Sequence, residues 1–483
     1  MSVKVFDGTN WVPGGAKRYD DGNWVDIPTY TRTNDAWVRD ADTVIYGFTV
    51  NESSDDPDTS ITYTDDAVGM TPCSMGSATF DYGSWENVLK NGLLKHRPCM
   101  LRFDGTVAYY LDPDDYTKKE DGTPSDIANP LFEGNAMIEF CNKLYYRLAM
   151  NGETDNWSFQ VSNKKINSEF VMWSNLDCDG NLIDHFYLPI YNGTSAPTYN
   201  NTATYAVDDL VTYNGAEYKC TTAVETAEAF DSSKWNKISD VTRLRSLSGV
   251  QLTSANGNGQ TSGQEEIDRA AALDTTSKSE WSTDNWCDRV LVNCLLFLIS
   301  HSFDAQTKFG RGIDTASQAA KEAYVTGALN DKGLFWGSTS TGTQAVKVFG
   351  MENWYSLVWR RTRGLIGGAN DTYLVKMTHS TKDGTTVNGY NTTGTGYLTV
   401  SGRPSSNYVR NCIVGPFGYL PKVTAGTSKY KDYFYTGTGY ALVGGSSYNG
   451  ASDGPSYFYL YDGVSSRGWS FSASPSCKPC KNK

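Results

Sequence analysis

The sequence predicts an α+β protein: many short, irregular strands, two helices, and a small β unit set into a larger body. Three observations predict it. Gly (46) and Tyr (31) are abundant in 483 residues, while Ala, Leu and Glu do not dominate. Short apolar or alternating runs recur from about residue 43 to the C-terminus, separated by Gly- and Asp-rich turns. One stretch, residues 262–300, instead carries apolar residues at helical spacing.

The chain opens with a short repeat. "FDGTNWVP" (residues 6–13) returns as "YDDGNWVD" (19–26), placing Trp11 and Trp24 at matching positions. Each copy reads as strand, Asp-Gly turn and Trp, a small hairpin-like unit. Such units bury little alone, so residues 1–43 are expected to be an attachment segment whose tryptophans dock into a larger partner. Its second part, 28–43, reads as a polar linker. Strands follow at "TVIYGFTV", "PCMLRF", "TVAYYL", "AMIEFC" and "LYYRLAM". The acidic loops at 52–58 and 112–121 lack the D-x-D-x-D-G spacing of a calcium loop and read as solvated turns.

Residues 199–238 change the texture. They predict a compact three-stranded unit carrying Tyr205, Tyr213, Tyr218 and Trp235. This unit separates a first body segment, 44–198, from a second, 239–483. Helices come next. Ser262 followed by Glu265 is a capping box. "STDNWCDRVLVNCLLFLIS" predicts a second helix capped near Thr283 or Asp284. It is apolar nearly all round after Val290, so it should be deeply buried with Cys287 and Cys294. After Lys347 the short strands return.

The totals exclude several classes. Net charge is −12 and no Lys/Arg-rich run exists, so no nucleic-acid partner is expected. No stretch of 18 apolar residues exists, so no membrane insertion is expected, and the N-terminus lacks a hydrophobic signal core. The ten cysteines are scattered and read as free, buried thiols. The lone C-x-x-C, Cys477–Cys480, does not make a zinc site without a second pair or histidines. No metal and no cofactor is expected. The G-x-S-x-G, H-E-x-x-H, P-loop and dinucleotide patterns are absent, so the chain is not expected to be an enzyme.

The candidate site is the terminal block "GGSSYNGASDGPSYFYLYDGVSSRGWSFS" (444–472), where aromatic rings sit among serines and glycines. Tyr offers rigid contact area with a polar tip, and Ser and Gly offer adaptable hydrogen bonds, the mixture that antibody loops use. In Tyr457-Phe458-Tyr459-Leu460-Tyr461 the tyrosines should share the outward face, with Phe458 and Leu460 facing the core. Ser446, Ser447, Tyr448, Asn449, Ser452, Asp453, Ser465, Ser466 and Arg467 are expected in flanking contact loops. Trp469 either joins these loops or fills the domain's own core.

These residues carry a resemblance. "FGMENWYSLVWRRTRGLI" (349–366) resembles the G-x-E-N-x-x-G-N-V-W-E-W-x-D-G segment of C-type-lectin-fold domains of the formylglycine-generating-enzyme type. The terminal block is similar to that of phage tail-fibre and receptor-binding proteins of this fold, including variable proteins of diversity-generating retroelements. Residues 44–195, "LFLISHSFDAQTKFGRGI" and the N-terminal repeat resemble the same phage proteins. Residues 199–238 resemble small carbohydrate-binding modules related to chitin-binding domains, with Asp208 in place of the usual Gly; this implies sugar stacking on Tyr205, Tyr213, Tyr218 and Trp235.

The resemblance implies a C-type-lectin-like body on a phage particle surface, made in the host cytoplasm. It implies a bacterial surface glycan or protein receptor, attachment to other virion proteins through residues 1–30, and a homo-oligomer, commonly a trimer. The rival expectation is a structural connector or decoration protein whose tyrosine face is covered inside the particle. Two departures limit the resemblance. The acidic residue of the family segment is lost at Trp359-Arg360-Arg361, and Cys412 and Cys477 lack the surrounding motif of the oxidase branch. The calcium-binding triplets Glu-Pro-Asn and Gln-Pro-Asp are also absent, so no calcium-bridged sugar site is expected.

Overall fold

A hydrophobic helix, Trp286–Ser300, lies at the centre of the structure, and all fifteen of its residues are buried. The computed structural model describes residues 4–6, 11–13, 16–20, 23–33, 36–152, 155–177, 179–255, 260–276, 278–377, 397–426 and 428–480. Strands take 36 % of the chain and helices 11 %, so the body is mostly β. The helix is apolar on every side and must be enclosed. It packs against the four-stranded sheet Tyr145–Met150, Trp157–Ser162, Ile45–Val50 and Ile61–Asp65 on one hand. On the other it meets the largest sheet, which has nine strands and curls into a half-barrel.

The polar residues of this helix tie the body together. Asn293 Nδ2 donates to the Pro455 carbonyl, and Trp354 Nε1 donates to Asn293 Oδ1. Lys478 Nζ lies 2.7 Å from Asp288, with both side chains buried. A six-stranded sheet joins the two body segments. Its order is Val107–Tyr110, His96–Arg102, Gly134–Phe140, Phe186–Pro189, Pro475–Pro479 and Ser279–Thr283. The C-terminal strand thus sits between one strand from before the inserted unit and one from after it.

The capping box is present as read: the Ser262 side chain accepts from Glu265 N, and Glu265 reaches back to Ser262 N. The second helix starts later than the sequence predicts. Ser282 and Thr283 belong to the strand Ser279–Thr283, and Asn285 occupies the cap position without a side-chain bond. The physical reason is Asp284, whose carboxylate takes a two-pronged bond from Arg360 (2.7 and 2.8 Å) and so cannot cap. Three further helices of five residues, Glu86–Lys90, Ala305–Phe309 and Gln318–Glu322, carried too little periodic signal to be predicted.

The strand Trp359–Gly368 is buried along its whole length. Its three arginines face acids and hydroxyls inside the protein: Arg360 meets Asp284, Arg361 meets Glu266, and Arg363 meets Ser282.

The N-terminal repeat forms hairpins, Lys4–Phe6 with Trp11–Pro13 and Ala16–Asp20 with Asn23–Ile27. A third hairpin, Tyr30–Thr33 with Ala36–Arg39, replaces part of the expected linker. Val25 is buried against Tyr145 and Phe170, while Trp24 is 63 % exposed. The docking expected of the Trp11 side chain lies outside what the structure describes.

Residues 210–239 form the expected three-stranded unit, Leu210–Tyr213, Ala216–Cys220 and Trp235–Ser239. It is fastened to the body by Glu217, which accepts 2.7 Å bonds from Arg243 N and Nε. Among the described residues, no helix is long and apolar enough to cross a membrane.

Candidate functional site

The short strand Phe458–Tyr459 lies between Tyr440–Val443 and Tyr433–Tyr435 in the half-barrel sheet. It runs parallel to Tyr433–Tyr435 with Phe434 opposite Phe458 and Tyr435 opposite Tyr459. Two Tyr-Phe-Tyr triplets, 433–435 and 457–459, therefore stand side by side in register. Alternation sends their phenylalanines to one face and their tyrosines to the other. Phe458 and Leu460 are buried in the main core, as the sequence predicts, and Phe434 is buried beside them.

The tyrosine face forms a continuous array. Tyr408 and Tyr433 are 5.3 Å apart between ring centroids, Tyr433 and Tyr457 5.9 Å, and Tyr435 and Tyr459 4.9 Å in a stack. Tyr461 closes the row, edge-on to Tyr435 at 5.9 Å. Exposure rises along it: Tyr457 is 6 % exposed, Tyr459 half-buried, Tyr435 39 % and Tyr461 65 %. Tyr457 is therefore corrected from contact residue to anchor. Its ring packs edge-on at 4.5 Å against Trp359, with Tyr440, Leu442 and Ile267 around it. Burial raises the pKa of the Tyr457 and Tyr459 hydroxyls, so both stay protonated.

The flanking loop divides in two. Ser446, Ser447 and Asp453 are fully buried, which corrects their placement on the contact surface. The chain turns inward there because Ser446 N donates to Asn449 Oδ1 and Asp453 Oδ1, and Ser447 N donates to the Leu357 carbonyl. Gly445, at φ 82°, presses on the Asp453 carboxyl so closely that a Cβ would sit 1.6 Å from Oδ1. Burial and the nearby Asp314 raise the pKa of Asp453. Tyr448 is 59 % exposed and its ring leans on Trp469 at 5.3 Å. Trp469 is thus half-exposed beside it rather than enclosed in the core. Asn449, Ser452, Ser465, Ser466 and Arg467 reach the surface to differing degrees. Arg467 pairs with Glu265.

Tyr408, Tyr433 and Tyr435 were missed at the level of sequence. The signal was present: "YFY" at 433–435 is the same triplet as at 457–459. Only the parallel pairing shows that the two become neighbours.

In the inserted unit Trp235 is buried with Val211, Cys220 and Val224, and it is corrected from sugar-stacking residue to core. So small a unit needs its largest ring inside. Tyr205, Tyr213 and Tyr218 are half-buried and packed on neighbours, Tyr213 stacked at 4.0 Å on Phe230 and Tyr205 at 5.0 Å on Tyr199.

Lys321 lies against the Trp469 ring. Its Nζ donates to Ser254 Oγ at 3.0 Å and sits 5.2 Å from the Trp469 ring, with no carboxylate at ion-pair distance among the described residues. Burial pushes its pKa from 10.5 down to about 7. Between those values the unfolded chain binds the extra proton, so stability is full at high pH and falls as pH drops towards 7. Lys321→Met is expected to raise unfolding free energy by about 1–2 kcal/mol at pH 6 and by less at pH 10. Urea melts at the two pH values check this.

Among the described residues, no cluster of three or more His, Cys, Asp or Glu is placed to hold a metal ion. The described cysteines are free thiols. The geometry suits non-covalent contact by rings held in fixed positions. No protein-family model matches the sequence, and no curated protein matches it.

Proposed function

We propose that this chain is a phage particle surface protein that binds a glycan or protein receptor on the bacterial surface. The contact residues are Tyr435, Tyr459, Tyr461 and Tyr448, with Asn449, Ser452, Ser465, Ser466 and Arg467 around them. The observation that carries the reading is the graded tyrosine array, buried at Tyr457 and open at Tyr461. Rings anchored at one end lose little freedom on binding, so their contact area converts efficiently into affinity. A body of strands and helices supports the C-type-lectin-like reading of the fold. Residues 1–30 attach the chain to other virion proteins, and the exposed Tyr19 and Trp24, packed edge to face at 5.3 Å, offer the contact. Copies on one particle, as a trimer or other homo-oligomer, multiply a weak single site by roughly 10²–10⁴.

Hydroxyl-radical footprinting of the full chain tests this. Host envelope fragments are expected to protect Tyr435, Tyr448 and Tyr461 from oxidation. Unchanged oxidation with envelope, together with protection of the same residues in the assembled particle, would show a structural connector instead.

A further inference from the structure

Glu52 opens the acidic loop 52–58, yet its side chain is only 2 % exposed. Donors from the two large sheets of the core converge on one of its oxygens. Trp157 Nε1, from the four-stranded sheet, donates to Oε1 at 2.7 Å. Cys412 N, from the nine-stranded sheet, donates to the same oxygen at 3.2 Å. The strand Asn407–Gly415 slips register on both sides of Asn411, and Cys412 N turns to Glu52 there.

The other oxygen, Oε2, faces a lysine. Lys429 Nζ lies 2.8 Å from it, and the lysine side chain has no solvent exposure. The approach falls outside hydrogen-bond geometry, so Oε2 meets no hydrogen-bond donor. The amine is held by two carbonyl oxygens, Glu52 O at 3.2 Å and Ser54 O at 3.1 Å. Amine and carboxyl group are thus fixed in contact, away from water, with the two carboxyl oxygens in different surroundings.

Charge is costly at such a site. Burial raises the pKa of Glu52 and favours its uncharged acid. Moving one proton from Nζ to Oε2 converts the ion pair into a neutral amine and a neutral acid. The amine nitrogen can then attack Cδ. Oε1 gains charge in that step, and it already has the Trp157 and Cys412 donors, the arrangement of an oxyanion hole. Well-oriented intramolecular groups reach effective concentrations of about 10⁵–10⁸ M. The Nζ–Cδ bond forms as Cδ–Oε2 breaks. Oε2 carries the first proton, takes a second from Nζ and leaves as water. Nothing is oxidised or reduced, and no co-reactant is needed. The product amide keeps Oε1 as acceptor for both donors and removes both buried charges.

We propose that Lys429 and Glu52 form an intramolecular isopeptide bond in the folded protein. The bond joins positions 377 residues apart. It ties the first body segment to the stretch that leads into the strand Tyr433–Tyr435. Lys478 and Asp288, another buried pair, give the internal contrast. Their contact is as short, 2.7 Å, but Asp288 Oδ2 meets no donor and Oδ1 takes the amine itself. No oxyanion site is built there, and no bond is expected.

Mass spectrometry of the folded full chain tests the proposal. The intact mass is expected to fall short of the sequence mass by one water. A tryptic digest is expected to hold one branched peptide that joins the Glu52 and Lys429 segments, with no cut after Lys429. Lys429→Arg keeps a cation at the site without the reacting amine, and it is expected at full mass. The digest of the unaltered chain decides the question even where Lys429→Arg does not fold. An unaltered chain at full mass, both fresh and after storage at neutral pH, would overturn the proposal. So would a water loss that persists in Lys429→Arg, or one that maps to an Asp-Gly step or to Lys478 and Asp288.

Discussion

Arg361→Ala is expected to lose about 3–5 kcal/mol of unfolding free energy, the cost of breaking a buried ion pair from one side. Arg361 and Glu266 have no solvent exposure at their side chains. The guanidinium also donates to Tyr440 Oη and to the carbonyls of Thr261 and Ser466. It therefore holds the capped helix Gly263–Ala271, the sheet and the loop after Tyr461 in one arrangement. Removing it leaves Glu266 buried with only Thr261 Oγ1 among its neutral partners. A domain's whole stability is about 5–15 kcal/mol, so this variant should lie near the edge of folding. The double variant Arg361→Met with Glu266→Gln should recover more than half of the loss, because neither charge remains stranded. Guanidinium denaturation of the three proteins measures both effects.

If the tyrosine array is the proposed receptor site, the triple variant Tyr435→Ser, Tyr459→Ser, Tyr461→Ser is expected to lose at least a hundredfold in affinity for host envelope. Central aromatic residues of an interface each contribute on the order of 1–2 kcal/mol or more, and three in contact exceed the threshold for a hundredfold loss, about 2.8 kcal/mol. The fold should survive, since Phe434, Phe458 and Leu460 still fill the core and Tyr457 still packs on Trp359. A stability cost within about 2 kcal/mol follows from the half-exposed sites. Tyr457→Ala should behave in the opposite way. It empties a buried site and costs about 3–5 kcal/mol, as large core aromatics do. Calorimetry on both variants separates anchor from contact.

Local signals were legible in the sequence, and long-range ones were not. The capping box at Ser262 and Glu265, the three strands of the inserted unit and the burial of the Val290–Ile299 run all follow from neighbours within a few residues. The inward face of Phe458 and Leu460 follows from simple alternation. The N-cap of the central helix did not follow, because Asp284 was taken by Arg360, 76 residues away. Ser446, Ser447 and Asp453 looked like surface loop by composition. They are interior because the loop bonds to itself and to Leu357. The tyrosine array depended on a parallel pairing between two strands of two or three residues, which leaves no periodic trace long enough to read. Trp235 was misplaced for a different reason: whether a ring stacks on ligand or fills a core depends on the volume of a unit whose size is plain but whose packing is not.

Adsorption competition measures the central claim most directly. The purified full chain and the folded triple variant are each added to host cells before phage, and free phage is counted. The account predicts that the full chain blocks adsorption and that the triple variant does not. Equal blocking by both proteins, or no binding of the full chain to host cells, would contradict it.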